Sequence, residues 1–262
     1  MSLRALLSPQ PRPDHGDVIE IDGHRVRLRI HASARRISLR VDPRDQVVVA
    51  TAPDRRRLSD AVAFARTRSS WIAAQMQRLP TPVRFAPGQI IQVEGRPCRL
   101  ERAAMRIKPS FKPETADEPA RLLAYGEGEV FARAVVRGLK ALAQVRLAAR
   151  TDLHVQALKQ PTPELAITDA RGRWGSCKQP HGGAPAQIRY NWRLVMAPPH
   201  VLDYVAAHEC AHLIEANHGP GFWAINEQLH PGVKKARAWL RAHGQTLHAA
   251  GQGVTDTPGG VA

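Results

Sequence analysis

Cysteine is scarce in this chain of 262 residues. The three thiols, Cys98, Cys177 and Cys210, are widely spaced and suggest no disulfide framework, which fits a reducing compartment. Aromatic residues make up only 5% of the chain and none falls in its most basic stretch, so no platform for stacking nucleic-acid bases is expected there. No apolar run approaches the roughly 18 residues of a membrane span. Pro9, Pro11 and Pro13 interrupt the apolar positions near the start before they reach the length of a secretory signal. A cytoplasmic location without membrane association is therefore expected. Acidic residues are also few, 23 Asp and Glu against 38 Lys and Arg, for a net charge of +15. Hydrophobic residues, at 43%, are ordinary in amount and suffice for one large domain or two small ones.

The excess charge is concentrated. Between positions 24 and 57, Arg25, Arg27, Arg29, Arg35, Arg36, Arg40, Arg44, Arg55, Arg56 and Arg57 outnumber Asp42, Asp45 and Asp54, a local balance of +7. Such a surface attracts DNA or another polyanion through phosphate contacts that carry no sequence information, although a solvated sheet face gives the same pattern.

Hydrophobic periodicity predicts an α+β chain in five parts. Residues 1–17, rich in proline, form a disordered tail. Residues 18–102 form a small β-rich module: strands over 18–29, turning at Asp22-Gly23, then 37–41 and 47–49, a helix over 57–79, and a hairpin over 90–100 turning at Glu94-Gly95. Residues 103–119 read as a linker. Residues 120–243 carry a long helix to about 150, short strands at 165–168 and 188–192, a helix from Pro198 to about Asn217, and two shorter helices near 222–229 and 233–243. Residues 244–262 read as a flexible tail, and no internal repeat is evident.

The segment that carries chemistry is His208-Glu209-Cys210-Ala211-His212. On a helix, Val201, Val205, His208 and His212 fall within a sector of about 60°, so both imidazoles continue an apolar stripe and reach one point. Glu209 lies on the same side and Cys210 faces away. A structural zinc site needs four protein ligands and the nearest thiol points elsewhere, whereas a catalytic site needs three ligands and a corner for water. The third ligand is sought beyond the helix end: His218, five residues past His212 with Gly219-Pro220-Gly221 following, or Glu227 on the next helix. Two core histidines satisfied by carbonyls are the plain alternative. It would make the intervening Glu and the third His coincidences. Cys177 as the nucleophile of a thiol enzyme has no partner signalled in the sequence.

Several segments together resemble one family: Arg173-Trp174-Gly175-Ser176-Cys177, Tyr190-Asn191-Trp192-Arg193-Leu194, Ala197-Pro198, Asp203-Tyr204-Val205, the histidine motif, Asn217-His218 and Phe222-Trp223. They are similar to the YgjP-like metallopeptidases, related to the SprT and WLM groups of zincins, over roughly residues 20–243. The resemblance implies a zincin-like core with an active-site helix, Zn2+ (one per chain) bound by His208, His212 and His218, and Glu209 as catalytic carboxylate. Its substrate would be a protein or peptide, added as an extended strand beside the Trp174 loop. Trp174, Asn191 and Trp192 are candidates to line that cleft, and Tyr204 and Arg193 to stabilise the oxyanion. The competing class is a nucleic-acid-associated module working through the basic N-terminal region, its metal site structural or vestigial.

Overall fold

Asp22 and Gly23 both adopt positive φ (48° and 78°), the two-residue turn whose twist matches antiparallel strands, and they join β1 (Val18–Ile21) to β2 (His24–Ile30). The computed structural model describes residues 12–251 apart from 44, 80 and 82. Of the two expected tails, 1–11 and 252–262 therefore lie outside the described residues, as does Arg44 of the basic block. The chain divides into two units, Met1–Pro80 and Thr81–Ala262.

In the first unit, β3 (Ser38–Asp42) and β4 (Val47–Ala52) complete a sheet of order β1-β2-β4-β3 in which β2 and β4 run parallel. Alternation sends Val26, Leu28, Val48, Ala50 and Ala52 into a core with Leu58, Ala61 and Ala65 of α1 (Leu58–Thr67) and Ile72 of α2 (Ser69–Gln77). The single helix expected over 57–79 is broken at Arg68, whose φ of −114° departs from helical geometry. Residues 14–17 are tied down. The Asp17 carbonyl accepts from Leu28 N–H at 2.7 Å and Asp14 pairs with Arg55 at 2.6 Å.

The second unit opens with the same architecture. β5 (Ile90–Val93) and β6 (Arg96–Arg102) turn at Glu94 and Gly95, again at positive φ (54° and 72°), and with β7 (Ser110–Lys112) and β8 (Arg121–Ala124) form a sheet of order β5-β6-β8-β7. Its pairings reproduce those of the first sheet 72 residues on, from 21 to 93, 28 to 100, 39 to 111 and 50 to 122: Ile21↔His24 becomes Val93↔Arg96, Leu28↔Ala50 becomes Leu100↔Leu122, and Leu39↔Ala50 becomes Phe111↔Leu122. Buried positions match as well, Ile21 with Val93, Val26 with Cys98 and Ala52 with Ala124. The chain thus contains a duplicated four-stranded module, correcting the expectation of no repeat. It also places the 90–100 hairpin with the C-terminal unit, because Cys98, Leu100 and Leu122 pack into the larger core. The presumed linker holds β7.

Where one helix is expected from about residue 120, β8 comes first and Gly126 (φ 113°) separates it from the 30-residue α3 (Gly128–Ala157). Ala120, Leu122 and Ala124 are buried every second residue, so the pairing with β6 and β7 prevails over the helical reading of Leu122-Leu123. Beyond α3, β9 (Glu164–Thr168), β10 (Gly175–Lys178) and β11 (Gln187–Asn191) form a sheet of order β10-β11-β9 with β10 at its edge. α4 (Pro199–Ala211), α5 (Pro220–Leu229) and α6 (Val233–Ala249) follow. α6 runs past 243, since Leu247 and Ala249 are buried and Val83 pairs with Ala250, so residues 244–251 are not a tail. Among the described residues no helix is long and apolar enough to cross a membrane.

Candidate active site

α4 starts at Pro199, whose fixed φ suits a first helical turn, and is buried on almost every side: Val201, Val205, Ala206, Ala207, Cys210 and Ala211 are all 4% exposed or less. His208 and His212 lie where this helix meets the surface. The helix ends with His212 at its C-cap rather than near residue 217. The backbone then turns through Leu213 to Glu215, whose N–H groups bond to the carbonyls of Cys210 and Ala211, and carries His218 back.

The three rings converge. One donor atom from each of His208, His212 and His218 lies within 4.8 Å of the others, and His208 Nε2 and His218 Nε2 are 3.1 Å apart. Phe222 of α5, fully buried, forms the floor, with ring centroids 4.8, 4.5 and 4.6 Å from those of His208, His212 and His218. The 2.9 Å bond between His212 Nδ1 and the Glu215 carbonyl puts the proton on Nδ1 and leaves Nε2 as an electron-pair donor. Burial and the neighbouring His212 and His218 push the His208 imidazole down to about 4, favouring the neutral form that ligates a metal. A tetrahedral zinc ion at 2.0–2.1 Å holds its nitrogens about 3.3–3.4 Å apart. Three imidazole donors at these separations therefore fit such an ion with small side-chain adjustments. Exposed Glu227, on α5, does not join the cluster.

Glu209 is 4% exposed, and burial pushes its carboxyl up to about 8 against the opposing pull of Arg173. It lies against the backbone of β10, which is why position 175 is glycine: a Cβ there would stand 2.6 Å from Glu209 Cγ. Glu209, His208, Gly175 and Trp174 line one open cleft of about 390 Å³. Trp174 is held over α6, its ring stacked on His248 with centroids 4.3 Å apart and against Gly244.

Other candidates fall elsewhere. Asn191 is 1% exposed and caps the turn after β11, Trp192 is fully buried and donates Nε1–H to Asp169, and Arg193, 1% exposed, binds Asp169 and the Ala250 carbonyl, so none of the three reaches the cleft. Tyr204 faces His208, its hydroxyl 3.5 Å from Nδ1. The Cys177 thiol is pushed up to about 11 by burial and by Glu209, the opposite of what a nucleophile needs. Sequence reading missed His230. It is buried and bonds Asp203 Oδ2 at 3.0 Å, while His154 of α3 bonds Oδ1 at 2.9 Å. The missed signal was Asp203 itself, three residues before the buried Ala206 on a helix otherwise apolar at its centre.

Residues 35–243 match the family model described as the YgjP-like metallopeptidase domain. The chain belongs to the YgjP-like metallopeptidase family. No curated protein and no solved structure matches it significantly. The YgjP-like match covers the His208–Glu209–His212–His218 cluster, the β10 edge and the duplicated β-module from β3 onwards.

Proposed function

We propose that this chain hydrolyses peptide bonds, with a zinc ion held by His208, His212 and His218 and with Glu209 as the general base. The observation that carries this reading is the convergence of three imidazole donors within 4.8 Å, one of which, on His208, lines an open cleft together with the buried Glu209. A zinc ion bound there supplies Lewis acidity that polarises a peptide carbonyl and acidifies water. Glu209, fixed against Gly175, takes a proton from the attacking water and delivers it to the departing amine. The outer edge of β10, the end strand of its sheet, offers backbone groups to an extended substrate next to Glu209. The test is cleavage of casein or a fluorogenic peptide by zinc-loaded chain. Activity is expected in the native chain and abolished in Glu209→Gln with zinc retained, and full activity in that variant removes Glu209 from the role.

A second reading concerns the first sheet. Arg25, Arg27 and Arg29 alternate with buried Val26 and Leu28 on β2. Arg40 of β3 and Arg27 flank Val49 in register, so four arginines share the face opposite the helices. Arg27 is paired with Asp45, whereas Arg25, Arg29 and Arg40 have no carboxylate partner among the described residues. DNA held there depends steeply on salt. Unchanged affinity on replacing Arg25, Arg29 and Arg40 by Gln removes this face as a polyanion site.

A further inference from the structure

The cleft that holds His208 and Glu209 is walled by arginines. Arg237 and Arg241, four residues apart on α6, project from one face of that helix, flanking the stripe that buries Val233, Ala236 and Gly244. Arg173 faces them from the segment leading into β10. Arg237 lies over the Trp223 ring, with Cζ 4.8 Å from its centroid, and Arg173 adjoins Trp174, which is stacked onto α6.

These three arginines also lack the partners that others in the same unit possess. Arg146 pairs with Glu94, Arg121 with Glu118, Arg96 with Glu114 and Arg150 with Asp203, all at 3.7 Å or less. Among the described residues Arg173, Arg237 and Arg241 make no ion pair, and the only acid lining their cleft is Glu209 at its floor. Arg237 and Arg241, which have no protein carboxylate, are free to take one from a ligand in a planar two-point contact, and Arg173, which acts on Glu209 without forming an ion pair, adds positive charge from the other side. The walls between, Leu240 and Trp174, suit the alkyl stem of such a side chain.

We propose that this cleft is a specificity subsite for acidic side chains of the substrate, with Arg173 on one wall and Arg237 and Arg241 on the other. It rests on the peptidase reading and names the substrate class: peptides with Glu or Asp close to the cleaved bond. Lys or Arg at that place would meet three like charges. The chain's net charge of +15 attracts any anionic peptide from a distance, so local recognition must be separated from general attraction.

The experiment uses full-length chain and labelled ten-residue peptides of Ala, Leu and Ser, with Glu, Gln or Lys placed in turn at positions flanking the cleaved bond. Binding is read by fluorescence anisotropy on the metal-free chain and on zinc-loaded Glu209→Gln, and cleavage on the zinc-loaded native chain. A charge-assisted contact of this kind gives a preference of about tenfold or more for Glu over Gln at one position. That preference is expected to vanish in Arg237→Gln/Arg241→Gln and to weaken in Arg173→Gln, while Arg106→Gln/Lys108→Gln, which removes equal charge from exposed positions outside the cleft, preserves it. Equal binding of the three peptides, or an equal loss in the Arg106/Lys108 variant, overturns the subsite. Cleavage without charge preference overturns the subsite and leaves the peptidase standing. Selective binding without cleavage of any peptide supports the subsite and sinks the peptidase.

Discussion

Gly175 and Glu209 occupy the same space: the carboxyl group of one lies where any side chain on the other would begin, with Glu209 Cγ 2.6 Å from the Cβ position of residue 175. The edge strand is therefore part of what aims the carboxylate. Gly175→Ala is expected to displace Glu209 and to lower kcat/KM by about 100-fold or more, the usual result of an ångström-scale shift of a reacting group, with one zinc per chain retained. Steady-state kinetics alongside metal analysis checks this. Native activity in the alanine variant would show that Glu209 needs no such support.

Phe222 contacts all three imidazoles and is fully buried. Phe222→Ala opens a cavity beneath the rings and is expected to cost about 3–5 kcal/mol of stability. It should also weaken zinc by about 10- to 100-fold, because ring orientation loses its support. Urea unfolding and a competition titration with a chelator measure the two effects. Weakened folding with unaltered zinc affinity would deny Phe222 its orienting role.

Asp203 links three elements of the C-terminal unit, bonding His154 of α3 and His230 after α5 from its place on α4. Burial pushes its carboxyl up, but the hydrogen bonds to His154 and His230, with Arg150 nearby, outweigh burial and hold it below the ordinary carboxylate value. A depressed carboxyl contributes stability that is complete above the unfolded value of about 4 and is lost as pH falls through the lower folded value. Asp203→Asn should therefore destabilise the chain by about 1–3 kcal/mol at neutral pH. The gap between native and variant should close as the medium is acidified below about pH 4. A gap independent of pH in urea titrations would contradict the assignment.

The two glycine turns of the duplicated module give a matched comparison. Gly23 and Gly95 have similar positive φ, 78° and 72°, but a Cβ at Gly23 meets nothing within 4 Å, whereas one at Gly95 stands 3.0 Å from Pro198 Cα. Gly23→Ala should cost about 1 kcal/mol through the left-handed backbone alone. Gly95→Ala should cost distinctly more, since the turn must also back away from the chain entering α4. Equal losses in thermal unfolding would mean that this approach is not tight in solution.

Much of this was legible in the sequence, for physical reasons that can be named. Asp22-Gly23 and Glu94-Gly95 announce their hairpins because few other pairs adopt two successive positive φ angles. The spacing of His208 and His212 announces a helix face because the helical period is fixed. β10 was illegible because Gly175, Ser176 and Lys178 have no strand preference, and the strand exists through its pairing with β11 and the room it leaves for Glu209. The duplication was hidden because few residues coincide at the 72-residue shift, Ile19 with Ile91, Gly23 with Gly95 and Leu28 with Leu100 among them, whereas register depends on alternation rather than identity. Arg237 and Arg241 gave no signal because their partners in the cleft lie more than sixty positions away, at Arg173 and Trp174.

Zinc titration of the purified full-length chain, with the native protein beside His218→Ala and Glu227→Ala, tests the central claim most directly. One tightly bound zinc per chain is predicted for the native protein and for Glu227→Ala, with severe weakening in His218→Ala. Failure of the native chain to bind zinc, or loss on replacing Glu227 with His218→Ala unaffected, would contradict it.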